Sequence, residues 1–147
     1  PMVRFVRTRH AEDRLRLASF SDATLTRLRE ALPGVRTSAG TGETARFALG
    51  SLPCLPAQGL LGLRSGLDAL QVPMRWKGLP VVTEDFVPRA HRVGLVVHVW
   101  TIDDPADMLT LARLGVDGIV TDEVLLAQRT LASGVADPAS EGNSRRR

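Results

Sequence analysis

The chain has 147 residues, 44% of them hydrophobic and 24% charged, which is one domain's worth of soluble sequence with enough apolar residues to bury a core. No window of about 18 uncharged apolar residues exists, which excludes a transmembrane helix; the single cysteine, Cys54, excludes an internal disulfide and makes the reducing cytoplasm the expected compartment. The net charge of +3 is matched by Arg145, Arg146 and Arg147 alone, so the body is balanced and carries no electrostatic footprint for nucleic acid.

Residues 1–7 lack the apolar core of an export signal. Residues 15–20 read as a strand, and Ser21 as a helix cap whose hydroxyl can accept an orphan backbone N–H. Leu25, Leu28 and Leu32 then recur at helical spacing, with Arg27, Arg29 and Glu30 expected on the other face. Pro33 and Gly34 stop that helix. Residues 35–38 make a weak second strand and 44–49 a short helix. Gly40-Thr41-Gly42 is expected to be a loop; it is too short, and lacks the lysine, to bind phosphate. The stretch 50–67, rich in Gly, Leu and Pro, supports no assignment.

Residues 69–73 read as a strand stopped by Pro73. Residues 80–82 lead into a helix over 85–92, which must hold Pro88 in its first turn and which Gly94 ends. Residues 95–101 form the strongest strand, apolar on both faces, the mark of a parallel sheet covered by helices. Asp104 and Pro105 open the next helix as cap and first helical residue, Met108, Leu111 and Ala112 form its buried stripe, and Gly115 suits its left-handed end. Residues 118–121 are another buried strand, and Asp122 is expected to cap a last helix carrying Val124, Ala127, Gln128 and Leu131. Residues 133–147 read as a disordered tail, which leaves 1–132 as the folded domain. This alternation implies an α/β fold of βα units on a parallel sheet. Periodicity alone leaves open a doubly wound sheet or part of a (β/α)8 barrel.

Two segments say more. Val97-His98-Val99-Trp100-Thr101, leading to the Asp104-Pro105 helix start, and Leu114-Gly115-Val116-Asp117-Gly118-Ile119-Val120-Thr121-Asp122 resemble the C-terminal signature of glycerophosphodiester phosphodiesterases. Ala18-Ser19-Phe20-Ser21-Asp22 and Leu70-Gln71-Val72-Pro73, with Gly78-Leu79 and Val81-Val82-Thr83, are weaker matches upstream. The resemblance runs from Val3 to Leu131. It implies a (β/α)8 TIM barrel that splits a small-molecule glycerophosphodiester into sn-glycerol 3-phosphate and an alcohol with a divalent cation, Mg2+ or Ca2+. A full barrel needs about 250 residues. The family's His-Arg-Gly, Glu-x-Asp and Glu-x-Lys segments on the first three strands have no match here, and His10 stands in Arg9-His10-Ala11 instead. The resemblance therefore implies a partial barrel, about strands four to eight, with no catalytic residue and no ligand for the cation in this chain.

Three residues are expected to line substrate. Trp100 stands at the C-terminal end of a strand, where barrel sites lie, and the resemblance puts a site-facing tryptophan there. Gln71 can reach the same mouth or bond a neighbouring backbone. Ser19 and Phe20 lie on opposite faces of one strand, so only one can point inward; Phe20 is the candidate. His98 shares the face of Trp100 but reads as a hydrogen-bonded core histidine. Asp103, Asp104 and Asp107 read as helix-start acids, His91 as peripheral and Cys54 as inert. The histidines and Cys54 show no zinc spacing. Two functions follow: the C-terminal part of a phosphodiesterase, inactive alone, or a non-catalytic partial barrel that acts as an interaction protein, with self-association through open sheet edges.

Overall fold

The computed structural model describes residues 2–49 and 66–135; Cys54, the arginine tail and nearly all of the 50–67 stretch lie outside the described residues. Helix α1 (Met2–Thr8) precedes strand β1 (Arg16–Leu17), and α2 (Asp22–Ala31) leads to β2 (Arg36–Ser38) and α3 (Thr41–Leu49). Next come β3 (Leu67–Pro73), a hairpin of β4 (Arg75–Trp76) and β5 (Leu79–Pro80), and α4 (Phe86–Arg92). Strand β6 (Val96–Trp100), α5 (Pro105–Arg113), β7 (Gly118–Ile119) and α6 (Val124–Val135) complete the order.

The main sheet has five strands in the order β1-β2-β3-β6-β7, all paired in parallel. That order decides what periodicity left open. A doubly wound sheet reverses its strand order at a switch point. Here each new strand adds on the same side, so right-handed crossovers lay the helices on one face, as in a (β/α)8 barrel. Among the described residues the sheet does not close.

Burial follows this plan. Leu70 and Val72 of β3 and Val97 and Val99 of β6 point into the helix layer, joining Phe86, Met108 and Leu111 in the main core. A smaller core under α1 holds Val6, Leu32 and Val35. The caps behave as their chemistry requires. Ser21 Oγ accepts Thr24 N–H at 3.3 Å, and Asp104 Oδ1 accepts Ala106 and Asp107 N–H at 2.8 and 3.1 Å. The hairpin turn is Lys77-Gly78 at φ 49° and 82°, the left-handed pair that lets two strands meet through two residues.

Six expectations change. Residues 15–20 form a strand only over Arg16–Leu17, so Ser19 and Phe20 follow β1 instead of alternating within it. Residues 118–121 form a strand only over Gly118–Ile119, both half-buried, and Val120 is exposed. Arg29 is not on a solvated face: it lies one helical turn from Leu25, on the buried side of α2. Thr41 and Gly42 are not loop but the opening of α3. Asp122 does not cap α6; Thr121 Oγ1 accepts Glu123 N–H at 2.9 Å. Helix α6 runs on to Val135, so residues 133–135 are helical.

Candidate functional site

Parallel strands deliver their last residues, and the loops after them, to one rim of the sheet. A cavity of about 450 Å³ opens there. Phe20 reaches it from the loop after β1, Gln71 from β3 and Trp100 from the end of β6. The sequence-derived trio therefore converges, although its members stand up to 80 positions apart in a chain of 147. The Phe20 and Trp100 rings meet edge to face, with centroids 5.9 Å apart and planes at 69°. Of the pair Ser19 and Phe20, the phenyl ring faces the cavity, while Ser19 Oγ accepts Ser21 N–H at 3.1 Å.

The rest of the lining was not foreseen. Helix α3 presents Thr41, Thr44, Ala45 and Ala48 as a wall, and Trp76 of the hairpin reaches the cavity beside Val81. The lining contains no charged side chain among the described residues.

The wall is held by a buried ion pair. Arg29 donates to both carboxylate oxygens of Glu43, at 2.6 and 3.0 Å, to Thr37 Oγ1 at 2.8 Å and to the Ser38 carbonyl at 3.2 Å. Glu43 also accepts the Gly40 N–H at 3.1 Å. Burial alone would raise the Glu43 carboxyl; the bonds from Arg29 and Gly40 outweigh it and hold it below its ordinary value. This network ties α2, β2 and the start of α3 together, and so fixes Gly40 and Thr41 at the cavity.

Beneath Trp100 on the same face, His98 lies over Gly118 of the neighbouring strand. A Cβ at position 118 would meet His98 Cδ2 at 2.9 Å, so the signature's second glycine is the space for this ring. Burial pushes the His98 pKa down, the charge of Arg16 adds to that, and Asp117 and Asp68 partly oppose it. Arg16 is itself held by Asp68 through two bonds of 2.9 Å.

The signature acids work as struts. Asp117 Oδ2 accepts Val97 N–H at 2.7 Å and lies 2.8 Å from His91 Nε2, at the strand ends opposite the cavity. Burial would raise its pKa, but Val97 and His91 bring it below the ordinary value. Asp103 accepts the Thr121 hydroxyl at 2.7 Å and Asp122 N–H at 2.9 Å, tying the loops after β6 and β7, and these bonds lower its pKa. Asp103 is thus a link between loops, whereas Asp104 is a helix cap. Among the described residues no three His, Cys, Asp or Glu side chains gather to hold a metal, and no helix is long and apolar enough to cross a membrane.

A parallel sheet wound in one direction, with a cavity at the C-terminal ends of its strands, defines a chain of the (β/α)-barrel class. The sequence profile of the glycerophosphoryl diester phosphodiesterase family matches residues 1–126. The chain belongs to that family. A probable glycerophosphodiester phosphodiesterase 2 of Mycobacterium tuberculosis is 36% identical over 141 residues, covering 95% of this chain and 53% of the relative. A crystal structure from Silicibacter pomeroyi that bears the same family name superposes with a TM-score of 0.65 at 28% identity, over 90% of this chain and 42% of that one. A glycerophosphodiester phosphodiesterase from Parabacteroides distasonis gives 0.68 at 24% identity, over 91% and 50%, a likeness of fold alone. The chain spans about half the length of the relatives it matches.

Proposed function

We propose that this chain forms the C-terminal part of a glycerophosphodiester phosphodiesterase, an enzyme that releases sn-glycerol 3-phosphate and an alcohol, and that it supplies one wall of the substrate pocket. The observation that carries this reading is the convergence of Phe20, Gln71 and Trp100 on one cavity. The rings offer apolar surface to the carbon skeleton of the substrate. The Gln71 amide offers two donors and an acceptor to a hydroxyl. Residues 1–132 act as one unit in this reading, and the single cysteine keeps the cytoplasm as the proposed compartment.

The described residues do not fit a divalent cation site. Asp103 is already engaged by Thr121 and Asp122 of the loop after β7 and Asp104 by the first turn of α5, and among the described residues no third carboxylate joins them. We therefore assign this chain binding and orientation, with the bond cleavage left to further segments of a longer enzyme. The purified chain, given glycerophosphocholine with Mg2+ or Ca2+, is expected to release no glycerol 3-phosphate above a buffer control. Joined to the N-terminal half of a family enzyme it is expected to do so, and Trp100→Ala then lowers kcat/KM about tenfold. Turnover by the chain alone overturns the division of labour. A second reading, a non-catalytic partial barrel that binds another chain, is favoured by the two outer strands, which among the described residues pair on one side only; turnover by the joined protein excludes it.

A further inference from the structure

We propose that the β4–β5 hairpin docks this protein on an anionic lipid surface, with Trp76 and Leu79 in the bilayer interface and Arg75 and Lys77 at the headgroups. All six residues from Arg75 to Pro80 are exposed. Trp76 and Leu79 are direct cross-strand partners, so their side chains share one face of the ribbon, at 61% and 71% exposure. The base of the hairpin is fastened: the Met74 carbonyl accepts the Val81 N–H at 2.9 Å, and both residues pack on the main core. The Lys77-Gly78 turn holds the tip in one shape, so the backbone keeps these two apolar side chains facing water. Phe20, the most exposed large hydrophobic residue among those described, lines the same cavity as Trp76 at 75% exposure and brings a third apolar group to this rim. The hairpin hangs from β3, the middle strand of the five, so further strands would join beyond β1 or β7 and not beside it.

The charges select the partner. The sequence between Asp68 and Glu84 contains no acid, and its two basic residues, Arg75 and Lys77, stand on either side of Trp76. Neither forms an ion pair among the described residues. Successive strand residues point to opposite faces, so Arg75 lies across the ribbon from Trp76, and Lys77 sits in the turn. Positive charge therefore borders the apolar face without covering it. An indole beside an aliphatic side chain suits the boundary between headgroups and acyl chains, where the ring is buried and its N–H stays with water. A flanking lysine and arginine meet anionic headgroups, and each adds attraction at the surface. A protein is the poorer occupant: a stable protein interface takes about 800 Å² and about 20 residues from each side, and this tip has six. The inference does not depend on the phosphodiesterase reading. It adds an orientation, because docking through this rim sets the mouth of the cavity against the bilayer.

The full chain, at submicromolar concentration, is mixed with sucrose-loaded vesicles of phosphatidylcholine alone or with about one-third phosphatidylglycerol, and the bound fraction is read by sedimentation. Binding to the anionic vesicles is expected to be about twentyfold tighter, about fivefold for each of the two charges, and to weaken with added salt. Arg75→Gln with Lys77→Asn removes about that factor, asparagine being tolerated at the left-handed turn position. Trp76→Ser with Leu79→Ser is expected to lower the affinity about tenfold with an unchanged far-ultraviolet circular dichroism spectrum. The charge variant leaves every core contact in place, so it decides the matter where the serine variant unfolds. In Trp100→Phe, Trp76 is the one tryptophan left, and lipids brominated near the headgroup are expected to quench it; Trp76→Phe, which keeps Trp100, is quenched less. Equal binding to the two kinds of vesicle, no binding, or a Trp76 left unquenched overturns the proposal. So does binding that survives both hairpin double variants, which would assign it to the Arg145–Arg147 tail or to the exposed residues of α6. Self-association that the serine variant abolishes, without vesicle binding, gives this face to a second copy of the chain and overturns it as well.

Discussion

Arg29 and Glu43 show how a single pair of side chains can govern the shape of a site it does not touch. Both are buried, at 8% and 3% exposure, and every strong donor and acceptor between them is used. Removing one partner leaves a buried charge without its counterpart, so Glu43→Ala is expected to cost about 3–5 kcal/mol in denaturant unfolding. The double change Arg29→Met with Glu43→Leu is expected to cost much less, because no orphan charge remains. Acid sensitivity has several sources of the same sign, Asp103 and Asp117 among them; His98 and Glu43 mark its upper and lower parts. The folded His98 pKa lies below 6.5 and that of Glu43 below 4.5, so each group contributes stability above those values and loses it as the pH falls through its lowered pKa. A pH series of thermal melts should show stability falling from about 6.5 downward, and His98→Gln should remove the upper part of that fall while leaving the part below 4.5. An unchanged upper limb in His98→Gln would assign the loss to other groups.

Elements differ in how openly their sequence declares them. Helix α5 declares itself fully: the Asp104 cap, Pro105 in the first turn, and Met108 with Leu111 on one face. Asp104→Ala is accordingly expected to cost about 1 kcal/mol and Met108→Ala about 2–5 kcal/mol, both read from urea midpoints. Strands β3 and β6 are equally legible, being apolar on the face that meets the helices and bounded by Pro73 or Gly94. Strands β1 and β7 come out shorter than their apolar runs, because among the described residues each finds a parallel partner on one side only. The β4–β5 hairpin was not foreseen, since two-residue strands carry no period. Helix α1 escaped for a related reason: Val6 is its one buried residue, and its partners Leu32 and Val35 lie far along the chain. The site divides the same way. Trp100 and Gln71 stand near the ends of recognisable strands, a position with functional meaning. Ala45 and Ala48 bear no chemistry by which a sequence could announce them, and only the packing of α3 puts them at the cavity. Arg29 could have been found, because it follows Leu25 by four residues and so shares its face.

At the scale of the molecule the open sheet dominates. Among the described residues β1 and β7 have no partner on their outer edges, and Val120, Val124 and Leu125, which follow β7 in the chain, are 48%, 57% and 69% exposed. The face of β6 away from the main core carries His98 and Trp100, both half-buried. The isolated chain is therefore expected to associate at micromolar concentration. Sedimentation velocity should show an average mass that rises with loading, and a melting temperature that rises with it. A concentration-independent monomer with a sharp melt would mean that these edges are protected. Charged substitutions at Val124 and Leu125 are expected to reduce association without loss of helix content.

The ladder between β3 and β6 has a consequence for how the protein opens. It runs through five residue pairs, from Ala69↔Val96 to Pro73↔Trp100, whereas the ladders at either edge hold two each. Native hydrogen exchange should therefore grade across the sheet, with the amides of Leu70, Val72, Val97 and Val99 released last and those of the outer strands first. Gln71 and Trp100 stand on that slow centre. Phe20 hangs from the loop after β1, at the early-opening margin. One side of the cavity is thus a fixed jaw and the other a compliant one, and an arriving ligand would be met by movement from the phenylalanine side.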